Sequence, residues 1–145
     1  MSQGPTPATT PQQMIINACE AEFDAHSHDC SGFVKAVAED LGITLSGMAD
    51  DIVNEIQQAP WTKLTDGIDA KNKADQGMFV IGGLQDTPHG HVVVVVTGPL
   101  ARGLYPTAYW GRLGGTGMKN TTINWAWNKA DRDRVTYACL TLPQQ

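Results

Sequence analysis

The sequence has few cysteines, no long apolar run and no concentration of positive charge. The three cysteines, Cys19, Cys30 and Cys139, cannot all pair with one another, so at least one thiol is free or pairs with another molecule. A Cys19–Cys139 bridge would leave Cys30 as the odd thiol; without it, Cys19 and Cys139 are expected as buried small apolar residues. No run of about 18 apolar residues occurs, which argues against a membrane span. Residues 1–13, Met-Ser-Gln-Gly-Pro-Thr-Pro-Ala-Thr-Thr-Pro-Gln-Gln, have neither the basic start nor the apolar core of a secretory signal. The expectation is a protein made in the cytoplasm. The formal charge is −5, and the ten Lys and Arg residues are scattered from Lys35 to Arg134. Without a basic stripe, neither nucleic acid nor an anionic membrane surface is an expected partner. The glycine-rich stretch 111–117 lacks the Lys-Ser/Thr pattern of a phosphate loop, so it is read as a mobile cleft wall and not as a nucleotide cradle.

What is present suits one domain. With 145 residues and 41% hydrophobic content, the chain can bury one substantial core but not two. A Pro/Thr-rich start, residues 1–10, is too poor in apolar residues to fold, and 11–145 forms the single expected domain. Pro11 suits the first turn of a helix over 11–25 carrying Met14, Ile15, Ala18, Cys19 and Phe23 on one face. After the polar link Ala25-His26-Ser27-His28, Asp29 is an N-cap for a second helix, with Phe33, Val34, Val37, Ala38 and Leu41 inward until Gly42. Ser46 caps a third helix that turns Ile52, Val53 and Ile56 inward and stops before Pro60, and Asp69–Gln76 reads as a short polar helix ended by Gly77.

From Met78 the pattern changes to strands: 78–81, then 91–97 with its five consecutive valines, then 107–113 and 134–142. The valine run fits a central strand covered on both faces. Residues 114–119 read as a glycine-rich loop and 120–133 as unassigned. Helices followed by an antiparallel sheet predict an α+β fold.

Cys30 therefore opens a buried helix. A free thiol, pKa about 8.5, is only a few per cent thiolate at neutral pH, and thiolate is the nucleophile. A helix start favours the anion by at most about 2 kcal/mol, roughly one and a half pKa units, so a second group is needed within hydrogen-bond reach. His91, at the start of the valine strand, is the best placed base, because a strand end facing a helix start fixes two side chains rigidly.

Asp29-Cys30-Ser31-Gly32-Phe33-Val34 resembles the nucleophile motif of the NlpC-type cell-wall cysteine peptidases, a papain-like family, and Gly90-His91-Val92-Val93-Val94-Val95 resembles that family's histidine strand. Taken with Trp61-Thr62-Lys63-Leu64, Gly98-Pro99-Leu100, Tyr105-Pro106 and Asp131-Arg132-Asp133-Arg134, the chain resembles the type VI secretion amidase effectors of the first family over about residues 14–142. The resemblance implies a papain-like NlpC-type fold with N-terminal helices packed on a central antiparallel sheet. It implies a DL-endopeptidase that cuts between γ-D-glutamate and meso-diaminopimelate in peptidoglycan stem peptides of a rival bacterium, with Cys30 as nucleophile, His91 as base and no cofactor. Delivery by a type VI secretion apparatus, action in the target periplasm as a monomer, and a cognate immunity protein in the producing cell are implied as well. The Cys30 backbone N–H would stabilise the oxyanion.

The chain departs from that pattern at the third catalytic position, usually a His, Asn or Gln on the next strand. Between Val92 and Lys119 none of these occurs, nor any Asp or Glu. Ala108-Tyr109-Trp110 occupies the place, leaving a backbone carbonyl, a water or the Tyr109 hydroxyl to hold the ring. Asp29 and Ser31 are candidates for substrate contact, although Asp29 serves equally as N-cap and Ser31 as an ordinary first-turn residue. Of Trp61, Trp110, Trp125 and Trp127, Trp110 is the expected substrate contact because it lies beside His91. Two readings compete. His26, His28, Cys30, His89 and His91 form a set from which a zinc hydrolase could draw ligands. A catalytically silent binding domain would keep the fold, but it would not need both Cys30 and His91.

Overall fold

The computed structural model describes residues 9–143. The expected disordered start lies outside them, apart from Thr9 and Thr10. Thr10 is the N-cap of helix α1 (Pro11–His26): its hydroxyl accepts from the Gln13 N–H at 3.2 Å, and Pro11 occupies the first helical position. Ala25 and His26 thus belong to the helix and not to the link. Helix α2 (Cys30–Asp40) starts where the sequence places it, with the Asp29 carboxylate accepting from the Gly32 N–H at 3.0 Å. It ends at Gly42, whose φ of +81° takes the left-handed conformation that terminates helices.

Helix α3 (Ala49–Ile56) begins later than Ser46 predicts. Gly47 at φ +90° breaks the chain's path, and the first turn is instead capped by Asp51, whose carboxylate accepts from the Met48 N–H at 2.9 Å. Strand β1 (Thr62–Lys63) and helix α4 (Gly67–Asp75) follow. Asp66, not Asp69, is the N-cap of α4, accepting from the Asp69 N–H at 2.9 Å. The remaining strands are β2 (Phe79–Leu84), β3 (His91–Val95), β4 (Thr107–Trp110), β5 (Met118–Thr122) and β6 (Thr136–Leu140). Short 3-10 turns at Ile123–Trp125 and Arg132–Arg134 fill the stretch that sequence patterning leaves unassigned and shorten the last strand at its start.

The six strands form one antiparallel sheet in the order β1-β6-β2-β3-β4-β5. The fold is α+β, four helices on a six-stranded sheet, compatible with a papain-like arrangement. The valine run lies in its interior. Val92, Val94 and Val96 face α1, α2 and α3, whereas Val93 and Val95 face α4, Ile123, Ala126 and Trp127. Side chains on a strand alternate between faces, so a strand buried on both sides needs an unbroken apolar run. Each fully buried valine contributes roughly 1.5–3 kcal/mol. Cys19 and Cys139 are buried in opposite layers, on the helix-bearing and the α4 side of the sheet respectively, and all three cysteines are free thiols. The bridge is therefore absent, and both residues pack as small apolar groups.

The turn between α1 and α2 is clamped to the loop between β4 and β5. The Arg112 and Gly117 N–H groups donate to the Ser27 carbonyl at 3.0 and 2.7 Å, and the His28 ring bonds to the Gly115 carbonyl. Gly111 passes so close that a Cβ there would collide with the backbone oxygens of His26 and Asp29. Gly111→Ala is expected to lower stability by about 1–3 kcal/mol, the range for forcing extra volume into a packed site, with a matching fall in Tm by calorimetry. An unchanged Tm would show that the clamp yields freely. Asp29→Ala removes the α2 cap and is expected to cost about 1 kcal/mol by denaturant titration.

Candidate active site

Cys30 occupies the first position of α2, and His91 the first position of β3. Helix α2 packs on the face of the sheet formed by Val92, Val94 and Val96. This packing brings the two side chains, far apart in sequence, to the wall of one open cavity of about 490 Å³. The backbone just before His91 is held by α3: Gln85 donates to the Asp50 carbonyl at 3.0 Å and to the Asn54 side chain at 2.8 Å. A Cβ at Gly90 would strike the Asp50 carboxylate and the Leu84 carbonyl, so glycine there lets the hairpin approach α3. The first two N–H groups of α2, those of Cys30 and Ser31, have no backbone acceptor among the described residues. They are the unpaired donors that every helix start presents.

No hydrogen bond joins Cys30 to His91 among the described residues; the His91 Nε2 is buried and has no partner. The ring is bordered instead by Trp127, edge-on at 5.1 Å between centroids and 68° between planes. Tyr109 does not hold it: its hydroxyl donates to Glu20 on α1 at 2.6 Å, on the opposite side of the sheet from Trp127. Trp110 is fully buried in the layer under β4 and borders neither cavity beside Cys30. It therefore packs the core and is not placed to touch substrate. Asp29 and Ser31 line a second cavity of about 310 Å³ on the other side of Cys30. There Asp29 is committed to capping, and the Ser31 hydroxyl donates to it at 3.3 Å.

The zinc reading loses its ligands. His26 faces Glu22 at 3.8 Å and His28 is turned to Gly115. Among the described residues no group of three or more His, Cys, Asp or Glu side chains is arranged to hold a metal ion.

No protein-family model matches the sequence. A curated relative does: the peptidoglycan amidase Tse1 of Pseudomonas aeruginosa is 39% identical over 143 residues, spanning 90% of this chain and 91% of the relative. The chain belongs to the type VI secretion amidase effectors. Within this family member, the cavity wall opposite Cys30 comes from a segment that sequence patterning left unassigned. Asn124, Trp125, Trp127 and Asn128 line it, and Trp125 is 66% exposed. Arg112 lines it too and donates to the Ala126 carbonyl at 2.9 Å, tying the glycine-rich loop to that segment. The tryptophans were the only sequence signal for this wall, and nothing in their spacing separated Trp125 and Trp127 from Trp110.

The electrostatics favour an uncharged pair. Burial pushes the Cys30 thiol above its ordinary value and the Asp29 carboxylate adds to this, while the backbone N–H groups of Val92, Ser31 and Cys30 oppose it. Burial, with the positive charge of Arg112 and the neighbouring His89, lowers His91 to about 3. At neutral pH the resting state is therefore thiol plus neutral imidazole, not thiolate plus imidazolium. Iodoacetamide alkylation of Cys30 should then rise by close to tenfold per pH unit from pH 6 to 8.5, because only the thiolate reacts. A rate plateau across that range would reveal a preformed ion pair.

Proposed function

We propose that this effector is a peptidoglycan DL-endopeptidase that hydrolyses the γ-D-glutamyl–meso-diaminopimelate bond through Cys30 and His91. The observation that carries the reading is the opening of both side chains into one cavity, in a chain aligned along nine-tenths of its length with a peptidoglycan amidase. The neutral resting pair suits general-base chemistry. His91 takes the thiol proton as sulfur attacks the amide carbon, forming the S–C bond and a tetrahedral oxyanion. The free N–H groups at the start of α2 face the developing negative charge. As the C–N bond breaks, the proton passes from His91 to the leaving amine. Water, deprotonated by the same imidazole, then releases the acyl group and restores the thiol.

Membership of the family supports delivery into a rival cell by a type VI secretion apparatus, and we extend the proposal to action as a monomer on the periplasmic wall and to neutralisation in the producer by an immunity protein. The open cavity around Cys30 is the surface such an inhibitor would have to cover. Among the described residues no helix is long and apolar enough to cross a membrane.

Cys30→Ala and His91→Ala should each abolish cleavage of purified peptidoglycan while leaving the far-ultraviolet spectrum and Tm near those of the parent. Mass spectrometry of the digested muropeptides identifies the bond: fragments ending in D-glutamate, paired with fragments beginning at diaminopimelate, are expected. Normal turnover by folded Cys30→Ala would remove the nucleophile assignment, and fragments split between muramic acid and L-alanine would remove the bond assignment.

A further inference from the structure

The space around Cys30 has two lobes, and they differ in chemistry. Cys30, His89, Gly90 and Leu113 border both. His91, Arg112, Trp125, Asp86 and Asp131 border only the larger lobe, whereas Met48, Ala49, Pro88, Ser31 and the carboxylate-bearing Asp29 and Asp50 border only the smaller one. A substrate bound across Cys30 must therefore place its acyl half in one lobe and its amine half in the other. The proton balance decides which. The proton that His91 takes from sulfur has to reach the amine nitrogen as the C–N bond breaks, so that nitrogen must lie on the His91 side.

Arg112 stands in that larger lobe as a cation without a carboxylate partner. None of the ion pairs among the described residues involves it. One nitrogen, Nη2, donates to the backbone carbonyls of Ala126 at 2.9 Å and Trp125 at 3.5 Å. Its other N–H groups make no hydrogen bond among the described residues. A guanidinium held by its back edge, with its free edge beside a cavity, is preorganised for a carboxylate.

We propose that the larger lobe receives the amine half of the substrate and that Arg112 binds a carboxylate there, the side-chain carboxylate of the diaminopimelate residue; the smaller, more apolar lobe receives the acyl half. The inference rests on the bond assignment above and adds to it a direction of binding and a residue that sets specificity.

The test uses the full chain and two tripeptides, L-Ala-γ-D-Glu-meso-diaminopimelate and its L-lysine counterpart, which lacks only that carboxylate. The wild type should prefer the diaminopimelate peptide by at least tenfold in kcat/KM. Arg112→Gln should lower kcat/KM for this peptide by about 10- to 100-fold, the range for a hydrogen bond to a charged group, mostly through KM. The loss on the lysine peptide should be at least tenfold smaller, so that the preference collapses. Arg112→Lys, which keeps a point charge, should recover part of the preference. Equal losses on both peptides in either variant would overturn the inference, since Arg112 would then act only through the segment it tethers. Failure of the wild type to cut either peptide would overturn the bond assignment itself and this inference with it.

Discussion

The backbone of Gly111 lies against the carbonyl oxygens of His26 and Asp29, in a space that no side chain can share, and the position of Cys30 depends on this contact. Asp29 is the residue before Cys30. Its carboxylate caps α2, while the carbonyl of Ser27, two residues earlier, takes two N–H groups from the β4–β5 loop. The helix start is thus tied to the far side of the sheet by backbone bonds, which are less free to rearrange than side-chain contacts. The same loop carries Arg112, so one stretch of glycine-rich chain locates Cys30 and builds the wall facing it. At positions 111 and 117 of this cleft wall glycine is needed because backbone occupies the space of a Cβ, whereas a Cβ at Gly114 would meet nothing.

The parts of the fold legible in the sequence are those with a strong local signal. Asp29 before an apolar helical pattern, the five valines, and Pro11 after Thr10 each have one favourable local structure, and each is found there. Ser46 failed as a cap because Gly47 turns the chain and Asp51 offers a carboxylate to the same N–H groups. The edge strand β1 went unseen because two residues carry no periodicity; it exists only through pairing with β6. In the site the limit was similar. Cys30 and His91 stand at element starts, where local pattern locates them, whereas Trp125, Trp127 and Arg112 reach the cavity through the path of a loop and a 3-10 turn. Tyr109 and Trp110 were placed by their order along the chain, but strand alternation sends the one toward Glu20 and the other into the opposite core layer.

Burial acts on Cys30 and His91 in opposite directions, raising the thiol and lowering the imidazole. Both shifts favour the neutral forms, so the helix start and its N–H groups do not by themselves make a thiolate here. In the reaction proposed above, their effect would fall on a later species, the oxyanion, a charge that exists only after attack. The positive charge of Arg112 fits the same logic. Burial is the main reason the nearby imidazole stays unprotonated and the Arg112 charge adds to it; in the proposed reaction an anionic group bound there would relieve the part due to Arg112.

What steadies His91 is then packing more than hydrogen bonding. No side chain bonds its ring among the described residues, and a buried unpartnered nitrogen costs roughly 1–3 kcal/mol. The edge-on contact with Trp127 returns about 0.5–1.5 kcal/mol, roughly half of that cost. The ring's position follows mainly from its backbone: His91 is paired with Leu84 at the start of a strand buried on both faces, directly after a glycine pressed against α3. A backbone held this firmly leaves the imidazole few rotamers. It also holds the ring against Trp127 at the wall of the cavity that Cys30 shares.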